Sequence, residues 1–387
     1  MRILQNPYPS LACYKFIQIH IQPHSTKNIM SKRDEIKKIW LECFQDPRPY
    51  VDMYFDQVYR DDEALLLCDQ SDAPVSSLML QRYLMSFHGS EPSVSYIAGA
   101  ATRRARRGQG FMSRLMQMAL EESASRGDML CTLIPASEAL YFFYRRYGFS
   151  TVFFTKEQRF TAFHSFPVSG EYHLFPEETS DEVWCAFDRF QHQRKCYVLH
   201  SRRDFYNILS DLKSDGGSFV VMARDDEDRG SQIVSMAWGV VSDGLLLVKD
   251  VVGEDSDSRA AALRQLRCLY TDTPVLLLGH PDDSMGGRLM PRGMGRLVNV
   301  EKALSAIAAA DPGFSCSIRV SDKLLPDYNS HTFIIKKGLC VTDDSYCGKL
   351  DFDVTVEVLT DIIFSSSAIG SIIRFPSVRP MISLMLD

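Results

Sequence analysis

Residues 102–112, TRRARRGQGFM, join a predicted strand to a predicted helix. The preceding residues 94–101 (VSYIAGAA) combine small, β-branched and aromatic residues, as is typical of a buried strand. The following apolar residues recur at helical spacing: Phe111, Leu115, Met116, Ala119 and Leu120. The first N–H groups of a helix have no intrahelical partner and attract anions, and the glycines at 108 and 110 leave the approach to them open. This order of strand, glycine loop and helix predicts a site for a phosphate-bearing cofactor.

The loop resembles the acetyl-CoA signature of the GCN5-related N-acetyltransferases (GNAT), which reads Gln or Arg, any two residues, Gly, any one residue, and Gly or Ala. Residues 107–112 fit this pattern at every place but the last, where Met112 replaces a small residue. A second hallmark of the family, a tyrosine shortly before Gly-Phe, matches Tyr144 before Gly148 and Phe149. Two hallmarks in the right order are much harder to obtain by chance than one.

The chain from residue 31 onward reads as three units. The first begins with two amphipathic helices and three strands, and continues with the loop, its helix, which ends at Gly127, and a further strand. The second, after Pro167, repeats two helical stretches and three strands, but the loop that follows, residues 252–258 (VGEDSDS), is acidic. Because this loop would repel phosphates, we interpret the second unit as a degenerate copy without a cofactor. The third unit, from residue 292, is predicted to be a small α+β unit whose apolar tail packs onto the protein.

Two tandem GNAT-like units, of which only the first carries the loop, followed by a small sterol-carrier-like unit, resemble the enhanced intracellular survival acetyltransferases. The resemblance implies a fold class of α+β or mixed α/β: tandem GNAT folds, each a mixed and mostly antiparallel sheet with flanking helices, plus a small sterol-carrier-like α+β domain. The predicted boundaries are 1–29 for an N-terminal extension or misassigned start, 30–166 for the catalytic domain, 167–291 for the degenerate second domain, and 292–387 for the sterol-carrier-like domain with its tail. The resemblance also implies a homo-oligomer.

The resemblance implies that acetyl-CoA binds along the end of the strand and in the loop. The residues concerned are Ala100, Ala101, Thr102, Arg107, Gly108, Gln109, Gly110, Phe111 and Met112. Ser137 follows Pro135 at the start of the next helix. There its side chain either caps the helix, the role that we favour, or donates a hydrogen bond to the cofactor.

Transfer of an acetyl group to an amine needs an acid and a base. The departing CoA thiolate benefits from a proton, and Tyr144, which matches the family's tyrosine, has a phenol with an ordinary pKa of about 10 that can donate one. The other interpretation of Tyr144 is an ordinary core aromatic among its four aromatic neighbours. For the base, the resemblance implies the terminal carboxylate of Asp387, folded back into the cleft of the first unit. The alternative for Asp387 is a solvated chain end.

These features predict an acetyl-CoA-dependent N-acetyltransferase that forms a ternary complex and transfers the acetyl group directly to a primary amine. No cysteine near the motifs supports an acyl-enzyme. Polyamines, aminoglycoside-like amines and protein lysines stay open as acceptors, and a longer acyl group stays open as the donor. The alternative from another class is a non-catalytic CoA- or lipid-binding protein that uses the sterol-carrier-like domain.

Composition argues against several other classes. The net charge of −6 argues against general nucleic-acid binding, and cofactor phosphates explain the basic cluster at residues 103–107 better than an RNA-binding or nuclear-localisation run does. The ten cysteines and nine histidines show no metal-ligand spacing, so we predict no metal and reduced, mostly buried thiols. We find no run of about 18 apolar residues and no secretory signal pattern, and we therefore predict a cytoplasmic protein without a membrane span.

Overall fold

The computed structural model describes residues 31–228, 230–283 and 286–386. The predicted extension at residues 1–29 and the predicted base Asp387 lie outside these ranges. From Lys32 onward the chain forms one compact unit. Its helices are α1 (Lys32–Cys43), α2 (Arg48–Met53), α3 (Phe111–Ser125), α4 (Glu138–Arg145), α5 (Asp181–His192), α6 (Arg202–Ser214), α7 (Ser256–Leu269), α8 (Val300–Ala310), α9 (Pro326–Asn329), α10 (Val356–Ile363) and α11 (Ser367–Ile373).

The strands fall into two sheets. They are β1 (Ala64–Cys68), β2 (Pro74–Phe87), β3 (Ser93–Thr102), β4 (Leu130–Leu133), β5 (Ser150–Phe160), β6 (His173–Leu174), β7 (Cys196–Leu199), β8 (Ser218–Asp226), β9 (Gly230–Ser242), β10 (Leu245–Gly253), β11 (Val275–Gly279), β12 (Arg288–Leu297), β13 (Cys316–Ser321), β14 (Thr332–Lys336), β15 (Leu339–Thr342) and β16 (Phe352–Thr355). The main sheet has twelve strands in the order β1-β2-β3-β4-β12-β5-β11-β10-β9-β8-β6, with β7 paired to β2. The small sheet has the order β15-β14-β13-β16.

The main sheet is mixed and mostly antiparallel. Its parallel pairs are β3 with β4 and β10 with β11, and its other pairs are antiparallel. Helices flank the sheet, and the residues that predicted α3 by their spacing are buried on its inner face, among them Leu115, Met116 and Leu120. The predicted fold class, with a large mixed sheet and flanking helices, is confirmed.

The main sheet contains a repeat whose two copies exchange a strand. The first repeat, residues 32–160, runs β3, α3, β4, α4, β5, and the second, residues 173–297, runs β10, α7, β11, β12. In each copy a helix connects a parallel pair, and one more strand follows. That last strand joins the other copy: β5 pairs with β11, whereas β12 pairs with β4, and β5 and β12 pair with each other. The predicted boundary between residues 291 and 292 falls inside β12.

The C-terminal residues 381–386 are buried, and Met381 forms an isolated bridge with Tyr197 of β7. Within the described part of the chain, no single helix is long and apolar enough to cross a membrane. Helices α10 and α11 reach that length and composition only together, as a pair bent by 117°.

Candidate functional site

The end of β4 opens a gap in the main sheet. β3 and β4 are paired as far as Ile97 and Leu133, where β4 ends, whereas β3 continues along β2 through residues 98–102. Gly99 lies in a bulge of β3 at this point, with a φ of +57°. The ring of Trp40 occupies the place where a Cβ at residue 99 would lie, so only glycine fits. β3 therefore turns away from β4 and presents a strand edge to the gap.

β12 forms the opposite wall of the gap. Its Met294 pairs with Leu133, the last residue of β4. Residues 288–293 of β12 therefore run beyond the end of β4, while they pair with β5 on their other side. The gap thus lies between an edge of the first repeat and a strand that the second repeat contributes.

The glycine loop leads from the gap into α3. Gly108 and Gly110 have φ of +75° and +82°, and a Cβ added to either would meet nothing within 4 Å. Glycine is therefore required by the backbone conformation and not by crowding. Gly110 is the N-cap of α3 and supplies no side-chain hydrogen bond, so the first N–H groups of the helix keep their capacity to bind an anion. The side chains of Phe111 and Met112 pack against the core, which accommodates the larger residue at position 112.

Two arginines of the basic cluster fasten the loop to the protein. Arg103 donates to the Glu42 carboxylate at 2.7 Å, and Arg106 forms an ion pair with Asp69. The backbone N–H of Arg104 also donates to Glu42, at 2.7 Å. This N–H, assisted by the charge of Arg103, holds the pKa of Glu42 below its ordinary value. Glu42 was not among the predicted site residues, although a carboxylate facing four arginines is a signal that a charge-pairing argument could use.

The prediction that cofactor phosphates explain the basic cluster stays a prediction; the structure adds that carboxylates of the protein pair with Arg103 and Arg106. Arg104 and Arg107 are exposed. Arg107 reaches back with its Nε to the Thr102 carbonyl at 3.2 Å, and the Thr102 hydroxyl bonds the Ser76 hydroxyl at 2.8 Å. Among the predicted strand positions, Thr102 is thus engaged within the protein, and the Ala101 carbonyl accepts from the Ser76 hydroxyl at 2.8 Å. Ala100 and Ala101 lie on the part of β3 beside the gap.

The second repeat closes the corresponding helix with its own side chains. Asp255 is the N-cap of α7; its carboxylate accepts from the Ser258 N–H at 2.7 Å, and the Ser258 hydroxyl is 3.2 Å from the Asp255 nitrogen. The Asp257 carboxylate accepts from the N–H groups of Ser169 and Gly170, both at 2.9 Å. A phosphate at the N-terminus of α7 would meet the carboxylates of Asp255 and Asp257. The Ser258 N–H, a donor that the phosphate would need, is already bonded to Asp255.

The corresponding region of the second repeat carries a buried ion pair. β10 and β11 are paired as far as Val248 and Leu277, and β10 then continues along β9, as β3 continues along β2. The first buried position of β10 beyond that pair is Asp250, which the Arg194 guanidinium holds at 2.7 and 2.8 Å. Arg194 also donates to the Val251 carbonyl at 3.3 Å. The ion pair borders a cavity of about 1320 Å³ that β10 and the residues after β11 line.

Tyr144 lies in the last turn of α4. Its side chain is 8% exposed, and its ring contacts Phe143 and Phe149 with centroids 5.2 and 6.0 Å apart. Burial, with a smaller contribution from Tyr147, raises the pKa of Tyr144 to about 12. Its hydroxyl makes no hydrogen bond to the residues that the structure describes. The neighbouring Tyr147 differs, because its hydroxyl bonds Ser113 in the first turn of α3 at 2.8 Å.

The Gly-Phe hallmark after Tyr144 has a structural cause. Gly148 has a φ of +80°, and a Cβ there would lie 2.9 Å from Arg296 Nε. Arg296, on β12, is completely buried and donates from Nε to the Tyr147 carbonyl at 2.7 Å. Its Nη2 donates two hydrogen bonds to the Asp322 carboxylate, at 2.6 and 2.9 Å. The exchanged strand therefore fixes the turn that follows α4, a contact that sequence reasoning missed.

Ser137 occupies the N-cap of α4, but its side chain accepts no capping hydrogen bond and is exposed. The capping role that we favoured for Ser137 is therefore wrong. Its hydroxyl remains a candidate donor to the cofactor.

A cavity of about 280 Å³ lies where the two repeats meet. Its wall includes three carboxylates, Asp46, Asp211 and Asp215, and two cations, Lys249 and Arg292. Arg292 belongs to the part of β12 that faces the gap, so the cavity and the gap share a wall. Sequence reasoning did not find this acidic set, because its members come from distant segments.

Other contacts fix these charges and place the chain end beside them. Trp40, which supports the bulge in β3, also donates from its indole N–H to Asp46 at 2.7 Å. Lys249 lies 3.7 Å from Asp211. Residues 382–385 line the same cavity. The chain therefore leads toward the cavity just before Asp387, which itself lies outside the described residues. Within those residues there is no group of three or more His, Cys, Asp or Glu side chains that could hold a metal ion.

The strand edge, glycine loop and open helix N-terminus have a counterpart among known families. Residues 29–152 match the family model described as "Acetyltransferase (GNAT) domain". The part of the chain that contains β3, the loop and α3 is therefore similar to a GNAT acetyltransferase domain.

Solved structures resemble nearly the whole chain. A probable N-acyltransferase from Enterococcus faecalis superposes with a TM-score of 0.72 and 14% identity, over 91% of this chain and 96% of the other. Eis1 from Mycobacterium abscessus superposes with a TM-score of 0.68 and 15% identity, and a GCN5-related N-acetyltransferase from Anabaena variabilis with a TM-score of 0.71 and 15% identity. Both superpositions cover 90% of this chain and 96% of the other. Identities this low show a shared fold. No curated protein sequence matches this chain.

Proposed function

We propose that this protein is an acetyl-CoA-dependent N-acetyltransferase that transfers the acetyl group directly to a primary amine. The observation that carries the proposal is the difference between the two repeats. The first leaves its glycine loop and the N-terminus of α3 without a side-chain cap, whereas the second has an acidic loop and caps α7 with Asp255. The proposal therefore gives each chain one active site, in the GNAT domain.

The first repeat fits the chemical groups of acetyl-CoA. The edge of β3 at Ala100 and Ala101 offers backbone donors and acceptors to the amides of the pantetheine arm. The N–H groups at the start of α3, reached past Gly108 and Gly110, would bind the pyrophosphate. The exposed Arg104 and Arg107 and the Ser137 hydroxyl stand ready to add charge and one donor.

Tyr144 would act as the acid. When the amine nitrogen attacks the thioester carbon, the carbon–sulfur bond breaks and the electron pair leaves on the CoA sulfur. A phenol with a pKa of about 12 stays protonated at neutral pH and can pass its proton to that thiolate. The Tyr144 side chain is only 8% exposed, and its hydroxyl has no hydrogen-bond partner among the described residues, so its proton is available for this donation.

The acceptor would be a cationic amine. Three carboxylates around a cavity of about 280 Å³ attract such a group, and the volume suits an aminoalkyl arm better than a whole large polycation. A polyamine, an aminoglycoside-like amine and a lysine side chain all present such an arm. The amine must lose a proton before it attacks, and the terminal carboxylate of Asp387 stays a prediction for the base.

The test is acetyl transfer by the purified chain to three acceptors: a polyamine, an aminoglycoside and a lysine peptide. CoA thiol release and the mass of the product report the reaction. We expect Tyr144→Phe to lower kcat by about 10²- to 10⁴-fold, the usual contribution of a general acid, with little change in the KM for acetyl-CoA. The matched control is Tyr141→Phe, one turn earlier on α4, which should keep wild-type kcat. Full activity of Tyr144→Phe would refute the acid, and wild-type protein that CoA stabilises without any turnover would favour the binding-protein alternative.

A further inference from the structure

The C-terminal segment, residues 381–386, is attached to the second repeat; we call it the tail. The Met381 N–H donates to the Cys196 carbonyl at 2.9 Å, and the Val198 N–H donates to the Met381 carbonyl at 3.3 Å. The tail is therefore joined to β7 at Met381 by an isolated bridge. Its residues are at most 8% exposed.

Ser383 is the polar centre of the tail. Its hydroxyl donates to the Asp250 carboxylate at 2.6 Å. Because that proton is used, the Tyr197 hydroxyl is the donor in the 2.8 Å bond between the two hydroxyls. The His200 Nε2–H donates to the Ser383 carbonyl at 2.9 Å. Three side chains of the second repeat, all less than 5% exposed, thus converge on one residue of the tail.

The anchor of this network is the buried ion pair between Arg194 and Asp250 of the second repeat. Asp250 accepts two bonds from Arg194, whose guanidinium also lies 4.5 Å from the centre of the Tyr197 ring. Strands hold both partners of this ion pair. Asp250 belongs to β10. Ser86 of β2 donates to the Arg194 carbonyl at 2.8 Å and accepts from the Tyr197 N–H at 3.0 Å. Ser383 is therefore bonded to a charge that is fixed in place.

The backbone turns directly after this anchor. Leu384 has a φ of +56°, a conformation that leucine adopts at a cost and keeps only where its surroundings impose it. With Ser383 bonded on one side of the turn, residues 382–385 form part of the wall of the 280 Å³ cavity. The tail therefore contains both Ser383, which is bonded to Asp250, and part of the cavity wall.

We propose that the buried Arg194–Asp250 ion pair of the second repeat is an anchoring site for the tail, and that Ser383 is a positioning residue through which this site shapes the acceptor cavity. The effect on the acceptor rests on the proposed function. The anchoring does not, since it concerns only contacts within the chain. The second repeat thus serves catalysis without binding a cofactor of its own.

The experiment compares Ser383→Ala, Tyr197→Phe and the double variant with wild-type protein. Ser371→Ala, which removes an exposed hydroxyl bonded only to the Ser367 carbonyl, is the matched control. Hydrogen–deuterium exchange of the peptide that contains the tail reports the anchoring directly. Steady-state kinetics report the KM of the amine and the KM of acetyl-CoA separately.

Loss of a hydrogen bond to a charged group changes an equilibrium by about 10- to 100-fold. We therefore expect the tail of Ser383→Ala to exchange about 10- to 100-fold faster and the KM of the amine to rise by a similar factor, with the KM of acetyl-CoA unchanged. Tyr197→Phe should have a smaller effect that does not add to that of Ser383→Ala, because both act through the same hydroxyl. Ser371→Ala should match wild type.

Unchanged exchange of the tail in Ser383→Ala would overturn the anchoring. Faster exchange with an unchanged KM for the amine, or an equal rise in both KM values, would overturn the positioning role. If Ser383→Ala does not fold, Tyr197→Phe decides the same question, because it keeps the ring over Arg194. If wild-type protein acetylates no amine, the proposed function fails while the exchange data still decide the anchoring.

Discussion

Replacement of Gly110 by alanine separates cofactor binding from stability. Gly110 has a φ of +82°, and an added Cβ would meet nothing within 4 Å. The stability cost is therefore the backbone cost of a left-handed conformation, about 1–2 kcal/mol. Each kcal/mol lowers the Tm of a large domain by about 2–4 °C, so the variant should remain folded.

The effect on acetyl-CoA should be larger. The new methyl group would stand at the N-terminus of α3, in the space that we assign to the pyrophosphate. Loss of one hydrogen bond to a charged phosphate costs about 1.5–3 kcal/mol, which corresponds to about 10- to 150-fold in Kd. We expect the affinity to fall within this range.

Calorimetric titration with acetyl-CoA and thermal unfolding measure the two effects. Gly244→Ala is the matched control, because Gly244 has a φ of +73°, also has nothing within 4 Å of its added Cβ, and lies in the turn between β9 and β10. Both variants should lose similar stability, and only Gly110→Ala should lose affinity. Wild-type affinity in Gly110→Ala, together with the expected fall in Tm, would refute the assignment of the loop.

Three further substitutions test the structural contacts around the site. Gly148→Ala should lower the free energy of unfolding, measured in urea, by more than Gly110→Ala does. Both carry the same backbone cost, but a Cβ at residue 148 would also lie 2.9 Å from Arg296 Nε, and an equal loss would contradict this reasoning. Asp322→Ala should cost about 3–5 kcal/mol in the same assay, because it leaves the buried Arg296 charge unpaired, and a loss below about 1 kcal/mol would argue against the pair. Asp255→Ala should cost about 1 kcal/mol as a lost N-cap and leave the Kd of acetyl-CoA unchanged; weaker binding would show that the second repeat takes part in cofactor binding.

Local patterns in the sequence predicted the elements around the site well. The spacing of Leu115, Met116 and Leu120 predicts α3 because one face of that helix is buried, and the structure confirms it. Glycine was expected in the loop because it leaves the approach to the helix open; the structure adds a second reason, the positive φ of Gly108 and Gly110. Tyr144 remains a predicted acid; the structure adds its burial and its unbonded hydroxyl among the described residues.

Long-range pairing could not be predicted in the same way. The sequence of β12 does not show that it inserts between β4 and β5, because strands of either repeat offer the same backbone groups. The charge of Arg103 and Arg106 was visible, whereas their partners Glu42 and Asp69 are distant in sequence. The acidic cavity was missed for the same reason.

The exchange of β5 and β12 has a consequence for biosynthesis. During translation the segment that matches the GNAT family model is synthesised first, with the glycine loop and Tyr144, whereas β12, which pairs with β4, is made only when residues 288–297 leave the ribosome. A gene truncated before residue 288 would encode the whole glycine loop and Tyr144 but not β12, the opposite wall of the gap. In its strand pairing the main sheet resembles a strand-swapped dimer joined into one polypeptide.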